Sequence, residues 1–273
     1  MANVKKEGGS NGLGMMSGII IAACIVVGII MWKFVMGSAS NFENGIVGGH
    51  PKDGSYLAMV YNGGPIVPVL LGCLLMVIVF SFERFAVISK AAGKGNLDTF
   101  MRTITADIKG GKIDEAINAC DKQQGSVANA VKSALVKYQE VKAEGFNSED
   151  AAETIHEEIE EATALEMPML EKNLTIISTL VSLGTLAGLL GTVTGMIRAF
   201  GALATTGTPD QAALANGISE ALINTATGIS TSALAIVMYN FFTSKIDTLT
   251  YSIDEAGSTI VNAYRKSRGS LKK

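Results

Sequence analysis

Thr175 to Phe242 reads TIISTLVSLGTLAGLLGTVTGMIRAFGALATTGTPDQAALANGISEALINTATGISTSALAIVMYNFF, and this stretch decides the architecture. Two apolar segments flank a short polar turn, TGTPDQ, at Thr206 to Gln211. Each is long enough to cross a bilayer, which takes about 20 apolar residues. Both are rich in Gly, Ser and Thr, a content that a segment serving only as a lipid anchor does not need.

On an ideal helix at 100° per residue, Ser178, Ser182, Thr185 and Thr192 of the first segment fall within roughly 80° of one another. Gly184, Gly188, Gly191 and Gly195 form a second stripe, turned roughly 90° from the first. Small residues at four-residue spacing let helices approach closely in lipid, so this stripe is expected to pack against a neighbour. The hydroxyl stripe has two readings. It offers donors and acceptors to something polar, such as a pore, or each hydroxyl bonds back to a carbonyl of its own helix.

The second segment carries Glu220, its only acidic residue between Gln211 and Phe242. Asn216, Asn224, Thr227 and Thr231 share its face by helical spacing. A carboxyl inside a membrane span costs about 2.5–3.5 kcal/mol on insertion scales and therefore faces protein or water. Glu220 is thus a candidate for an ion or proton path, with Asn224 and Thr227 as candidate pore-lining residues. The alternative is a structural role, near the water interface or as the charge partner of Arg198. Thr225 lies roughly 140° from Glu220 on the same helix. The two cannot both aim at one axis on a regular helix.

Working outward from this hairpin, residues 1–14 are polar and glycine-rich, a cytoplasmic tail. Residues 15–36 form a first membrane helix or signal anchor, with Trp32 as an interface anchor. A cleaved signal peptide is the rival, because Lys5 and Lys6 precede the apolar run and Ser38-Ala39-Ser40 resembles a cleavage site. Residues 37–63, rich in turn formers, read as a periplasmic loop with little regular structure. Residues 64–88 form the second membrane helix, with Pro65 in its first turn and Pro68 weakening its start.

Residues 89–172 are a cytoplasmic helical region, with apolar residues at helical spacing. Asn147 or Ser148 caps its last helix, which runs toward the membrane, and Pro168 is expected to kink it. The acidic run Glu153 to Glu161 reads as a solvated helix face rather than a metal or partner site. The hairpin then gives a third membrane helix over 173–204, a periplasmic turn over 205–211 and a fourth helix over 212–243. Residues 244–273 form a C-terminal cytoplasmic helix, amphipathic, that packs on the cytoplasmic helices or lies on the membrane.

Composition agrees with an all-α membrane protein of four transmembrane helices. The chain is 48% hydrophobic with mean hydropathy +0.34, too apolar for an ordinary soluble domain. Net charge is only −3, so no basic footprint points to nucleic acid. Three scattered cysteines imply no disulfide framework, and two distant histidines imply no metal site. No phosphate loop, HExxH or GxSxG motif occurs, so neither an enzyme nor a cofactor is indicated. Of the 22 Lys and Arg residues, all but Lys33, Lys52 and Arg198 lie in 1–14, 84–172 and 245–273. That asymmetry places both termini in the cytoplasm.

Gly188-Leu-Leu-Gly-Thr-Val-Thr-Gly195, followed by Met-Ile-Arg-Ala-Phe200, resembles the second core helix of the ExbB/TolQ/MotA proton-channel family. Gly217-Ile-Ser-Glu-Ala-Leu-Ile-Asn-Thr-Ala-Thr-Gly228, ending in Met238-Tyr-Asn240, resembles its third, with the ExbB branch most similar. The resemblance is specific in this hairpin, looser over 64–172 and absent over 1–63. It implies a three-helix family core preceded here by an extra helix. It also implies a homo-pentamer in the bacterial inner membrane, closed around the helices of a pair of ExbD-like single-helix subunits. The partner carries the essential Asp, and a TonB-like protein uses the proton-driven motion at the outer membrane. By the same resemblance Thr192 and Thr225 are the pore threonines and Glu220 the glutamate just before the second. Arg198 departs from the neutral residue of the enteric ExbB pattern. A TolQ-like, gliding or flagellar motor, a sodium-driven variant and a non-conducting membrane scaffold are the alternatives.

Overall fold

Among the described residues every element is a helix or helical turn, apart from one isolated bridge between Phe42 and Pro51. The computed structural model describes residues 9–206 and 211–269. The core of the turn expected over 205–211 therefore lies outside the described residues, as do residues 1–8 and 270–273. Four helices are long and apolar enough to cross a membrane, over Met16–Met36, Val67–Ala91, Leu174–Gly201 and within Gln211–Ser267. The protein is an all-α membrane protein. Its chain divides into two units, one of residues 1–81 with 175–239 and one of residues 82–174 with 240–273.

In the first unit, α1 (Gly9–Ile30) continues into a π-helical turn, Met31–Met36. It meets α3 (Val67–Ala91) where both have glycine: a Cβ on Gly28 would stand 2.8 Å from the Gly72 nitrogen. Side chains there would push the helices apart, so the crossing depends on the two small residues. The segment over 37–63 is more ordered than its turn-rich sequence suggests. It holds two 3₁₀ turns, Ala39–Asn41 and Glu43–Gly45, and the short helix α2, Tyr56–Tyr61. Aromatic packing fixes it. The Trp32 ring stacks on Tyr61 at 4.7 Å, its Nε1 donates to the Tyr61 carbonyl, and the fully buried Phe42 meets the same tyrosine edge-on. Trp32 thus has a protein partner in addition to any interfacial role.

The same unit contains the two hairpin helices, α8 (Leu174–Thr206) and the first part of α9 (Gln211–Gly269). The separate C-terminal helix expected from residue 244 does not exist as such, because α9 continues unbroken for 59 residues. No Gly or Pro occurs between Gly228 and Gly257 to interrupt it.

The second unit packs α4 (Leu97–Lys109), α5 (Ile113–Gln123), α6 (Gly125–Glu144) and α7 (Ser148–Glu171) with the far part of α9. Asn147 caps α7 by accepting from the Glu149 and Asp150 amides. Ile155 and Ile159 face inward, Glu157 between them turns to solvent, and the partly buried Glu158 lies 3.8 Å from the Lys137 ammonium. Of the two placements open for the C-terminal residues, packing on these helices is the observed one. Tyr264 is fully buried edge-on against Tyr138, and its hydroxyl donates to the Val141 carbonyl.

The α7–α8 junction lies four residues beyond Pro168. Pro168 sits inside α7, and the break comes at Lys172 and Asn173, with Asn173 at φ +60°. The reason is Arg84, 1% exposed, which donates to the Met169 and Leu170 carbonyls at 3.1 and 3.2 Å. These carbonyls lie in the last turn of α7, where a helix runs short of donors of its own. The Glu83 carboxylate holds the same guanidinium and accepts from Asn173 at 3.0 Å.

Burial also silences Cys120, whose thiol is pushed up to about 12 by desolvation and by Asp121 beside it. The thiolate is the reactive form, and below that pH it is scarce in the native protein. In a Cys24→Ala, Cys73→Ala background, maleimide at pH 8 is expected to label native Cys120 at least about a hundredfold more slowly than the urea-unfolded chain. Intact-mass time courses measure this, and equal rates would refute the buried placement.

Candidate functional site

The site begins with the glycine stripe of α8, which lies directly on α9. A Cβ added at Gly188 would stand 3.1 Å from the Gly228 Cα, and one at Gly195 would stand 3.0 Å from the Ala221 nitrogen. One at Gly184 would come within 2.7 Å of Ser232 Oγ, and one at Gly191 would overlap the Asn224 side chain. The two backbones therefore approach as closely as small residues allow, and this contact sets the register of every polar group beside it.

Along one edge of the seam runs a row of hydroxyls. The Thr192 and Thr225 hydroxyls bond directly to one another across the two helices. Each also lies within reach of a carbonyl of its own helix, Thr192 of Gly188 and Thr225 of Ala221, so one hydroxyl donates across the seam while the other donates to its own helix. About two turns away Thr185 donates to Ser232 Oγ at 2.8 Å. Ser178 bonds back to the Thr175 carbonyl, and Ser182 is exposed. Both alternatives for the hydroxyl stripe thus occur: Thr185 and Thr192 reach across the seam, and Ser178 turns back.

The opposite edge carries a second polar row, and Glu220 belongs to it. Arg198 Nη1 donates to Glu220 Oε1 at 2.5 Å. The Glu220 side chain is 11% exposed and the Arg198 side chain 53%, so the carboxylate lies inside and the guanidinium reaches it from the surface. Gly64, at φ +81°, sits against the carboxylate where a side chain would collide. One turn on, the fully buried Asn224 donates to the Gly63 carbonyl at 2.8 Å. Thr227 and the buried Thr231 satisfy their hydroxyls on the Ile223 and Thr227 carbonyls. Asn216, by contrast, is exposed.

The structure therefore brings Thr192 and Thr225 together and places Glu220 with Arg198 and Asn224 instead. Helical geometry requires the division, since residues five apart differ by roughly 140°. Of the other candidate pore-lining residues, Asn224 is enclosed and donates within the protein, and Thr227 is bonded to its own helix. Three participants escaped the sequence: Gly63, Gly64 and Ser232. Only Ser232 had a local signal, seven residues from Thr225 and hence on the same face.

Residues 123–255 match the MotA/TolQ/ExbB proton channel family. The matched range takes in both threonines, Arg198 and Glu220. The chain is similar to a biopolymer transport protein ExbB of Pseudomonas putida, 26% identical over 56% of this chain and 46% of that protein. It is similar to the Tol-Pal system protein TolQ of Pseudomonas aeruginosa, 27% identical over 58% of this chain and 69% of that protein. A putative ExbB-like protein of Synechocystis is 34% identical over 32% of this chain and 42% of its own length. Alignment thus spans about half the length of these relatives.

Because the seam depends on backbone contact, Gly228→Val is expected to force α8 and α9 apart and lower stability by roughly 1–3 kcal/mol, the scale of overpacking. Gly201→Ala, where an added Cβ meets nothing within 4 Å, is the control. Thermal unfolding in detergent measures the difference, and similar melting of the two variants would contradict the described packing.

Proposed function

We propose that this chain, whose residues 123–255 match the MotA/TolQ/ExbB proton channel family, is the proton-conducting subunit of an ion-driven motor in a bacterial inner membrane. The observation that carries the proposal is the direct hydroxyl contact between Thr192 and Thr225 across the hairpin. A hydroxyl is both donor and acceptor, so a pair of them can pass a hydrogen bond to a water or to a carboxyl brought alongside. Neither threonine titrates near neutral pH. The titrating group is therefore the carboxyl of a partner helix, and the threonines position it and exchange hydrogen bonds with it.

In this scheme copies of the chain form a pentamer around a pair of ExbD-like single-helix subunits, with both termini cytoplasmic. A TonB-like protein takes up the motion and energises outer-membrane transport. Glu220 has a different part from the threonines. Its charge is matched by Arg198, so it fixes the outer end of the hairpin and shapes the field there without lying on the hydroxyl row. The similarity to TolQ favours a second assignment, the same motor coupled to the Tol-Pal system. The channel chemistry is common to both, and neither assignment is an enzyme.

Reconstituted with its partner in vesicles, the protein is expected to move protons down an imposed gradient. Thr192→Val and Thr225→Val should each cut that flux by about tenfold or more, the scale of one lost polar contact to a transferring proton. Thr192→Ser and Thr225→Ser, which keep the hydroxyl, should retain most of it. A pH-sensitive dye inside the vesicles reads the flux, and full conduction by both valine variants would defeat the assignment.

A further inference from the structure

In the second unit, α3 and α9 pass from apolar to polar sequence beside the first turn of α4, and a groove of about 440 Å³ opens between them. Its floor is apolar and well packed: Phe242, Ile88 and Leu249 are all buried. Phe85 and Phe241 form the walls, and both rings are largely exposed. Large exposed aromatics over a packed apolar floor mark a surface that covers something apolar. Phenylalanine, unlike Tyr and Trp, has no polar tip to turn toward water.

The rim has the opposite character. Lys245 and Asp98 stand at it, both exposed, and neither takes part in an ion pair among the described residues. Lys245 Nζ lies 5.9 Å from the Phe241 ring centroid, which holds the ammonium over the wall of the groove. An occupant must therefore bring an apolar tail, an anionic group for Lys245 and a cationic hydrogen-bond donor for Asp98.

We infer that this groove binds a phospholipid with an ethanolamine headgroup. The acyl chain lies against Phe85 and Phe241, the phosphate meets Lys245 and the primary ammonium meets Asp98. The position agrees, since the groove lies just past the points where both helices turn from apolar to polar sequence, at Glu83-Arg84 and at Ser244-Lys245, the depth at which lipid headgroups are expected. The charge pattern selects among lipids. A glycerol headgroup offers phosphate but no cation. A choline headgroup offers a cation with no N–H to donate. The inference needs these helices to lie in a bilayer and is independent of whether the protein conducts protons.

The test uses the full chain, delipidated in detergent and mixed with equal amounts of dioleoyl phosphatidylethanolamine, phosphatidylglycerol and phosphatidylcholine. Native mass spectrometry then counts the bound lipid. Wild type is expected to retain the ethanolamine lipid at least about threefold over the other two, the scale of one exposed ion pair. Lys245→Gln should lower retention of all three, Lys245→Arg should restore it, and Asp98→Asn should bring the ethanolamine lipid down to the choline level. Both positions are exposed, so the variants should fold as wild type does. Equal or stronger retention of phosphatidylglycerol by wild type would overturn the inference. So would a wild-type pattern in both Lys245→Gln and Asp98→Asn.

Discussion

The close approach of α8 and α9 is the contact on which the rest of the membrane unit depends. In lipid there is no gain from clustering oily side chains, so two helices stay together through backbone proximity and polar bonds between them. Glycines at 184, 188, 191 and 195 supply the first, and the bonds they make possible supply the second. Because the backbones nearly touch, short side chains suffice to bridge the seam. Thr185 to Ser232 and Thr192 to Thr225 are both contacts that longer spacing would open. On the other edge the same proximity lets Arg198 reach Glu220.

The two arginines near the membrane solve similar problems in different ways. Arg84 is fully buried and spends its donors on a neighbouring carboxylate and on helix-end carbonyls, which makes it part of the backbone's own hydrogen-bond accounting. Arg198 is half exposed and serves a single inward carboxylate. A buried charge needs several partners to offset its lost hydration, whereas a half-exposed one keeps much of its water. The difference separates a junction that shapes the chain from a pair that neutralises one residue.

Local periodicity made much of this legible. The two hairpin spans, the packing stripe and the separation of Glu220 from Thr225 all follow from 100° per residue and the positions of Gly, Thr and Glu. The features that stayed hidden are contacts between distant parts of the chain. Nothing near Asn224 indicates Gly63, which lies 161 residues earlier. Nothing in the turn-rich sequence of 37–63 indicates that Phe42 would be fully buried, edge-on to Tyr61. The unbroken course of α9 was readable in principle from its lack of Gly and Pro, but the change from apolar to polar residues at Ser244 suggested a boundary where only the surroundings change.

The Asn224 to Gly63 bond bears on how the chain is made. Ribosomes add about 5–20 residues per second, so roughly 10–30 seconds separate the two residues at synthesis. The carbonyl emerges first, at the mouth of a span where water can serve it. The amide that needs it arrives last, on a helix bound for the lipid interior, and finds its acceptor already in place. Translation in this direction never leaves the asparagine waiting in hydrocarbon for a partner not yet made. A circular permutant that began with α8 would reverse the order, and its membrane insertion would have to proceed with that side chain unmet.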